Sequence, residues 1–465
     1  MPITKARQWR SAEYVQDNWK VRPNLTINAG LRYDLFAPPI DVNGVSRTLD
    51  FSTSPPSFTP APGLLLHNIW SVTHKDFGPR VGFAYSPTSN MVVRGGYGLF
   101  YFGGQFDNIN ILQLNPPTAG SLTITNPNVD PIATIQNPIP AALYPTNPFF
   151  NAVTVNADRK RPDMYLQTWN LTVSRQFGAN VLDVGYVGVK GTKIDSSIKN
   201  WNSPAPGPGD IQSRRPFNTF ARIRYPDFEG ASSYNALQVH LEHRLAHALS
   251  FTAAYTYGHE LDNQANDTNN GGCGCQDPRN PHEWANGVAD QRQNLAIGYV
   301  WQIPALRSDK SLVKSVTGGW GFSGLMLFAK GIPFDVEESI DSQNTDGIWE
   351  RPMLVPGQKL TVPNRSKNKW FNTDAFAPST YVYGNSPRNP LNQAGTKVLN
   401  LTVTRSFKMP FAESQRLEMR FEAFNALNTP QYAAPDANLG DGTFGQVTST
   451  QINNRELQLA AKYFF

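Results

Sequence analysis

Segment after segment of this chain alternates apolar and polar residues with a period of two, the spacing of a β-strand with one face buried. Leu25, Ile27, Leu31, Tyr33 and Leu35 share one side, while Thr26, Asn28, Arg32 and Asp34 take the other. Leu417, Met419, Phe421 and Ala423 alternate with Glu418, Arg420 and Glu422. Trp169, Leu171 and Val173 oppose Asn170, Thr172 and Ser174, and Leu237, Val239 and Leu241 oppose Gln238, His240 and Glu242. Leu295, Ile297, Tyr299 and Trp301 share a face against Asn294, Ala296 and Gln302. Such segments predict strands over 12–20, 25–35, 77–86, 91–102, 164–176, 180–188, 234–245, 249–259, 293–302, 320–330, 397–408, 416–425 and 456–465. A weaker apolar run from Leu64 to Val72 is left outside that set.

The connections constrain the fold further. Val21–Asn24, Pro87–Asn90, Phe177–Ala179 and Ala246–Ala248 are tight turns, and between them run long links near 36–76, 103–163, 189–233, 260–292, 331–396 and 426–455. Short and long links alternate down the chain, with Ile303 to Gly319 the one short link that is drawn out. A transmembrane barrel has this form, since one rim carries tight periplasmic turns and the other long extracellular loops. A soluble sandwich or propeller has no reason to gather every long loop at one end. Read back from a periplasmic C-terminus, the phase holds to Ala12.

Composition fits that reading. Charged residues are 17% of the chain, well under the roughly 25% usual for soluble domains, and aromatics are 12%. The 36 glycines and 37 prolines gather between the apolar segments, as turns and loops require. A net charge of +5 with no basic run gives no footprint for nucleic acid. No stretch approaches 18 apolar residues, so no helix is expected to span a membrane. Charge on a lipid face is costly, and Arg32, Asp34, Glu418, Arg420 and Glu422 all sit on the polar face of their strands. Trp19, Tyr33, Tyr85, Trp169, Tyr255, Tyr257, Trp301 and Trp320 fall near strand ends, where interfacial aromatic girdles are expected.

The chain ends E-L-Q-L-A-A-K-Y-F-F, which places Leu457, Leu459, Ala461, Tyr463 and Phe465 on one face. A terminal aromatic preceded by apolar residues at every second place resembles the assembly signal of outer-membrane barrels. An exposed edge with two terminal phenylalanines would be an aggregation hazard in water.

Several runs then carry a family likeness. EYVQDNWKVRPNLTINAGLRYD (Glu13 to Asp34) resembles the strand-turn-strand of TonB-dependent receptors. FGPRVGFAYSP (Phe77 to Pro87), RGGYGLFY (Arg94 to Tyr101), WFNTDAFAP (Trp370 to Pro378) and RFEAFNALNTPQY (Arg420 to Tyr432) are similar to that family's Oar-like subgroup. The resemblance covers nearly all of the chain. It implies a cell outer membrane location and an all-β, antiparallel transmembrane β-barrel, with 13–14 strands here of an expected twenty-two. Residues 1–465 would then be the C-terminal part of the barrel, without signal peptide, plug or first strands. The start, MPITKARQWR, lacks the apolar core of a signal peptide. Implied partners are outer-membrane lipid, the barrel-assembly machinery, an extracellular ligand and, where a plug is present, the TonB energy-coupling system.

Candidate chemistry is sparse. His240, His243 and His247 have spacings that suit metal ligation from a helix, but the strand pattern sends His240 and His243 to opposite faces. The Cys273-Gly274-Cys275 stretch is open to soft-metal binding, a local disulfide or a plain loop role, the last being favoured. Asp335, Glu337, Glu338, Asp341, Asn344 and Asp346 form an oxygen-rich loop without EF-hand spacing, read as solvated in preference to calcium-binding. Gly95-Gly96-Tyr97-Gly98 is no dinucleotide fingerprint and marks a bulge or tight curvature in a strand. No catalytic constellation stands out, no cofactor is implied, and the chain is read as a non-enzyme. The leading function is energy-coupled uptake of an unidentified ligand. The alternatives are a receptor or adhesion barrel that binds without transport, and a secreted all-β enzyme.

Overall fold

A computed structural model gives the fold and describes residues 5–51, 53–54, 56–60, 72–103, 112, 115, 152–153, 162–194, 197–198, 200–225, 227–246, 248–263, 272–273, 275–305, 316–347, 350–409 and 415–465. Thirteen long strands pair in chain order: β1 (Arg10–Arg22), β2 (Leu25–Phe36), β3 (Phe77–Thr88), β4 (Met91–Phe102), β5 (Met164–Phe177), β6 (Asn180–Ile194) and β7 (Gly230–Ala246). They continue with β8 (Leu249–Asp262), β9 (Gln293–Gln302), β10 (Trp320–Ala329), β11 (Thr396–Lys408), β12 (Arg416–Phe424) and β13 (Glu456–Phe464). Every neighbouring pair is antiparallel. A two-residue strand, Ala285–Asn286, joins the end of β8 to complete a 14-stranded sheet. The ladder does not close: β1 and β13 end it without pairing to each other.

All thirteen expected strands are present. Several extend past their expected ends, β6 to Ile194 and β8 to Asp262, because backbone pairing continues where the apolar alternation has faded into residues such as Thr192, Ser232 and Ser233. The run from Leu64 to Val72 lies, apart from Val72, outside the described residues. Gly178, with φ +59°, makes the β5–β6 turn, and Ala248, with φ +63°, sits in the β7–β8 turn. These tight turns lie on the same rim as the end of β9 and the start of β10.

The register shows the division of the sheet into two faces. Tyr85, Val93, Val173, Val184, Val239, Tyr255 and Leu295 are successive cross-strand partners on β3 to β9. The adjacent row on the other face reads Ala84, Arg94, Thr172, Gly185, Gln238, Thr256 and Asn294. The polar face is the hollow one. A cavity of about 510 Å³ opens on it between β8 and β11, lined in part by Ser250, Thr252, Gly298, Ser323, Asn400 and Thr402. Charged strand residues pair there, with Arg32 reaching Asp34 at 2.9 Å and Arg420 near Glu422 at 3.7 Å.

Aromatic side chains bracket the apolar belt. Trp19, Trp301 and Phe407 lie toward the tight-turn rim, and at the other rim Tyr33 meets Phe77 at 4.8 Å and Tyr101 meets Tyr165 at 5.7 Å. Tyr255 departs from its expected place near a strand end, since it sits mid-belt between Val239 and Leu295. At the glycines of β4 the bulge alternative is overturned. No bulge occurs at Gly95 or Gly98; a Cβ on Gly95 would stand 2.6 Å from the Phe83 ring, and one on Gly98 2.7 Å from Phe100. These glycines make room for aromatic rings.

Candidate functional site

The described parts of the long links leave one rim, where they fold into a cap. Its main core joins two of them: Phe334, Val336, Trp370, Phe371, Ala375, Phe376, Leu391 and Val447 are buried together. A single 3-10 turn, Thr373–Ala375, bends the chain so that Phe371 and Phe376 enter the same core. Phe371 is fully buried, with the rings of Phe444, Phe376 and Phe334 at 5.2, 5.8 and 5.9 Å. Burying one such ring stabilises by about 1.5–3 kcal/mol. A second cluster of Leu49, Phe220 and Ile223, with Phe51, Phe58, Trp201 and Phe217 around it, ties the first long link to the third.

Ion pairs built on the buried side chains of Arg388, Arg351 and Arg215 join the cap's links to one another and, through Arg388, to β8. Arg388 pairs with Asp262, at the end of β8, at 2.7 Å and donates to the Glu283 carbonyl at 2.6 Å. Arg351 meets Glu283 at 2.5 Å. Asp346 receives Arg215 at 2.6 Å and Arg222 at 2.5 Å. Removing one member of such a pair leaves a buried charge uncompensated.

Between the cap's links lies a cavity of about 380 Å³, lined in part by Phe334, Asp335, Glu337, Asn389, Asp436 and Asn438. Burial raises the Asp335 carboxyl, and burial followed by the Asp335 charge pushes Glu337 up to about 7. The oxygen-rich loop is therefore not the solvated segment expected from sequence. Glu338 accepts from the Ser379 amide and hydroxyl at 2.8 and 2.5 Å. Asp341 accepts from the amides of Thr345 and Asp346, each at 2.8 Å. Burial works to raise Asp346, but its hydrogen bonds from Arg222 and Arg215 win and hold it low. Glu350, almost wholly buried, accepts from the Thr345 hydroxyl at 3.0 Å and is pushed up to about 8 by burial, then by its hydrogen bond with Asp341.

The signs give a pH dependence. Glu337 and Glu350 titrate above their ordinary value of 4.5, so the folded cap keeps protons that the unfolded chain has lost. The stability they lend is complete below pH 4.5 and fades as pH rises through about 7 and 8. Hydrogen exchange in residues 341–350, corrected for its intrinsic pH dependence, is expected to be more protected at pH 5 than at pH 8.5. Glu350→Gln keeps a donor toward Asp341 and should flatten that difference; an unchanged profile in the variant would count against the shared proton.

The other sequence candidates are dispersed. His240 sits on the polar face, 3.3 Å from Asp183, while His243 stacks on Phe251 across the apolar face at 5.3 Å. His247 lies outside the described residues. Cys275 is half-buried, and the backbone at Cys273 pairs with Ile198. Among the described residues no group of three or more His, Cys, Asp or Glu is arranged to hold a metal ion. Leu457, Leu459, Ala461 and Tyr463 pair with Ala423, Phe421, Met419 and Leu417 on the apolar face, and Phe465 is 95% exposed. Sequence reasoning missed the cap core and its buried arginines. Their one signal was the aromatic spacing in Trp370, Phe371 and Phe376.

Comparison with known proteins bears on this architecture. Among solved structures, the chain is similar to the FrpB iron transporter from Neisseria meningitidis at 8% identity and a TM-score of 0.46, covering 100% of this chain and 46% of that one. It is similar to the outer membrane transporter YddB from Escherichia coli at 10% identity and a TM-score of 0.47, covering 98% and 45%. The ferripyoverdine receptor of the outer membrane of Pseudomonas aeruginosa gives 9% identity and a TM-score of 0.46, covering 99% and 39%. The chain thus spans less than half the length of these structures. No curated protein sequence matches it. Residues 2–458 match the family described as outer membrane beta barrel domain, so the chain belongs to that family and is a protein of the outer membrane.

Proposed function

We propose that this chain is the C-terminal part of a TonB-dependent receptor barrel of the Oar-like kind, serving energy-coupled uptake of an extracellular ligand. The observation that carries the reading is a folded cap with its own cavity standing at one end of a hollow polar wall. Binding groups at the mouth and an aqueous path beneath are what a gated importer needs. An adhesion barrel needs only the cap.

Strand direction supports the incomplete-barrel reading. β1 and β13 both run from the long-loop rim to the tight-turn rim, so pairing them directly would make a parallel contact. An all-antiparallel closure needs an odd number of further strands between them. Thirteen strands leave nine of the twenty-two that the family resemblance implies, which is odd. In this reading the signal peptide, plug and first strands belong to the same receptor outside this chain.

Growth of the source bacterium on limiting ferric citrate, maltodextrin or casein peptides tests the transport reading. Deleting this barrel and deleting the inner-membrane energy system should abolish growth on the same nutrient. Loss of surface binding with uptake of all three intact would favour the adhesion reading. The terminal strand has its own test, because we also propose Leu457, Leu459, Ala461, Tyr463 and Phe465 as the assembly signal. Phe465→Asp is expected to cut the folded barrel in outer-membrane fractions several-fold, and unchanged insertion would remove that role.

A further inference from the structure

Arg405 stands on the apolar face of the sheet. Its cross-strand partners there are Trp320 on β10 and Met419 on β12. The nearby carboxylate of β12, Glu418, belongs to the opposite face, where it pairs in register with Ser406 and Lys462. Arg405 lies three residues from the end of β11 at Lys408, level with the start of β10, and so at the tight-turn rim.

An arginine facing lipid is expensive at the bilayer centre and much less so at an interface, where its head reaches polar groups. Here the head is held in place. Its guanidinium carbon is 4.6 Å from the Trp320 ring centroid and 5.0 Å from that of Phe407. Nη1 donates to the Val316 carbonyl at 2.6 Å, and the Trp320 indole donates to the same oxygen at 3.1 Å. The two rings, themselves girdle residues, fix the depth of the charge, and the shared carbonyl fixes its orientation. A flat guanidinium with forked donors matches a phosphate better than a point charge does.

We propose that Arg405, clamped between Trp320 and Phe407, binds the headgroup phosphate of a phospholipid in the periplasmic leaflet of the outer membrane. Arg175 provides the internal contrast. It too stands on the apolar face near the tight-turn rim, but neither of its cross-strand neighbours, Met91 and Leu182, is aromatic, so it has no counterpart of Trp320.

Native mass spectrometry of the full chain, extracted from outer membranes and titrated with phosphatidylglycerol, tests the proposal. Wild type should retain phosphatidylglycerol in preference to diacylglycerol of the same acyl chains. Arg405→Leu should weaken phosphatidylglycerol binding about tenfold, equal to about 1.4 kcal/mol. Arg175→Leu should change it less than about twofold, as an unclamped surface charge does. Inorganic phosphate at the same concentration should not displace the lipid; displacement would make the site one for free anions and overturn the proposal. Unchanged lipid binding in Arg405→Leu would also overturn it. Should that variant fail to assemble, wild type decides alone: equal retention of diacylglycerol and phosphatidylglycerol refutes a phosphate site.

Discussion

Ile297→Arg is expected to destabilise the inserted barrel by about 2–4 kcal/mol, while Gly298→Arg, one residue on, leaves it nearly unchanged. Ile297 lies mid-strand on β9, with Ala253 and Met326 as its partners on the apolar face. A guanidinium there has neither water nor a headgroup within easy reach. Gly298 faces the hollow side and borders the 510 Å³ cavity, and a Cβ built on it meets nothing within 4 Å. The same charge is therefore introduced twice, in two solvents, at almost the same depth. Folding titrations in lipid vesicles would read the difference. Equal losses in the two variants would mean that the two faces do not see different media.

That contrast was legible in the sequence, and the reason is geometric. A strand with lipid on one side and water on the other must alternate, so Leu295, Ile297, Tyr299 and Trp301 declare their shared face in the sequence itself. Link length was equally readable, since tight turns need few residues and Gly178 supplies the left-handed backbone one of them uses. The cap was not. Its core takes Phe334, Trp370, Phe371, Phe376, Leu391 and Val447 from irregular backbone, where no period marks which side chains are inside. Arg388 and Arg351 are buried because Asp262 and Glu283 meet them from distant links, and a single sequence carries no sign of such pairs. The acidic loop misled for the same reason: its carboxylates looked solvated until their amide and arginine partners were in place.

Phe371→Ala should have the second large effect, confined to the cap. Truncating a fully buried phenylalanine typically costs about 3–5 kcal/mol, the sum of lost burial and the cavity left behind. Here the ring is the hub of three aromatic contacts. Links 330–395 and 425–455 should open together, with limited proteolysis cutting both many times faster in intact cells. The barrel should remain heat-modifiable on gels, since its strands make their contacts without this core. Proteolysis at the wild-type rate would show that the ion pairs hold the cap without its apolar core. Loss of the barrel as well would show that cap and wall fold as one unit.

The central claim is that one sheet separates lipid from water residue by residue. Spin labels placed singly at residues 293–302, in a background with Cys273 and Cys275 replaced by Ser, test it in bilayers. The account predicts oxygen accessibility peaking at 295, 297, 299 and 301, and water-soluble nickel chelate accessibility peaking at 294, 296, 298 and 300. Profiles that rise and fall together, with no period of two, would contradict it.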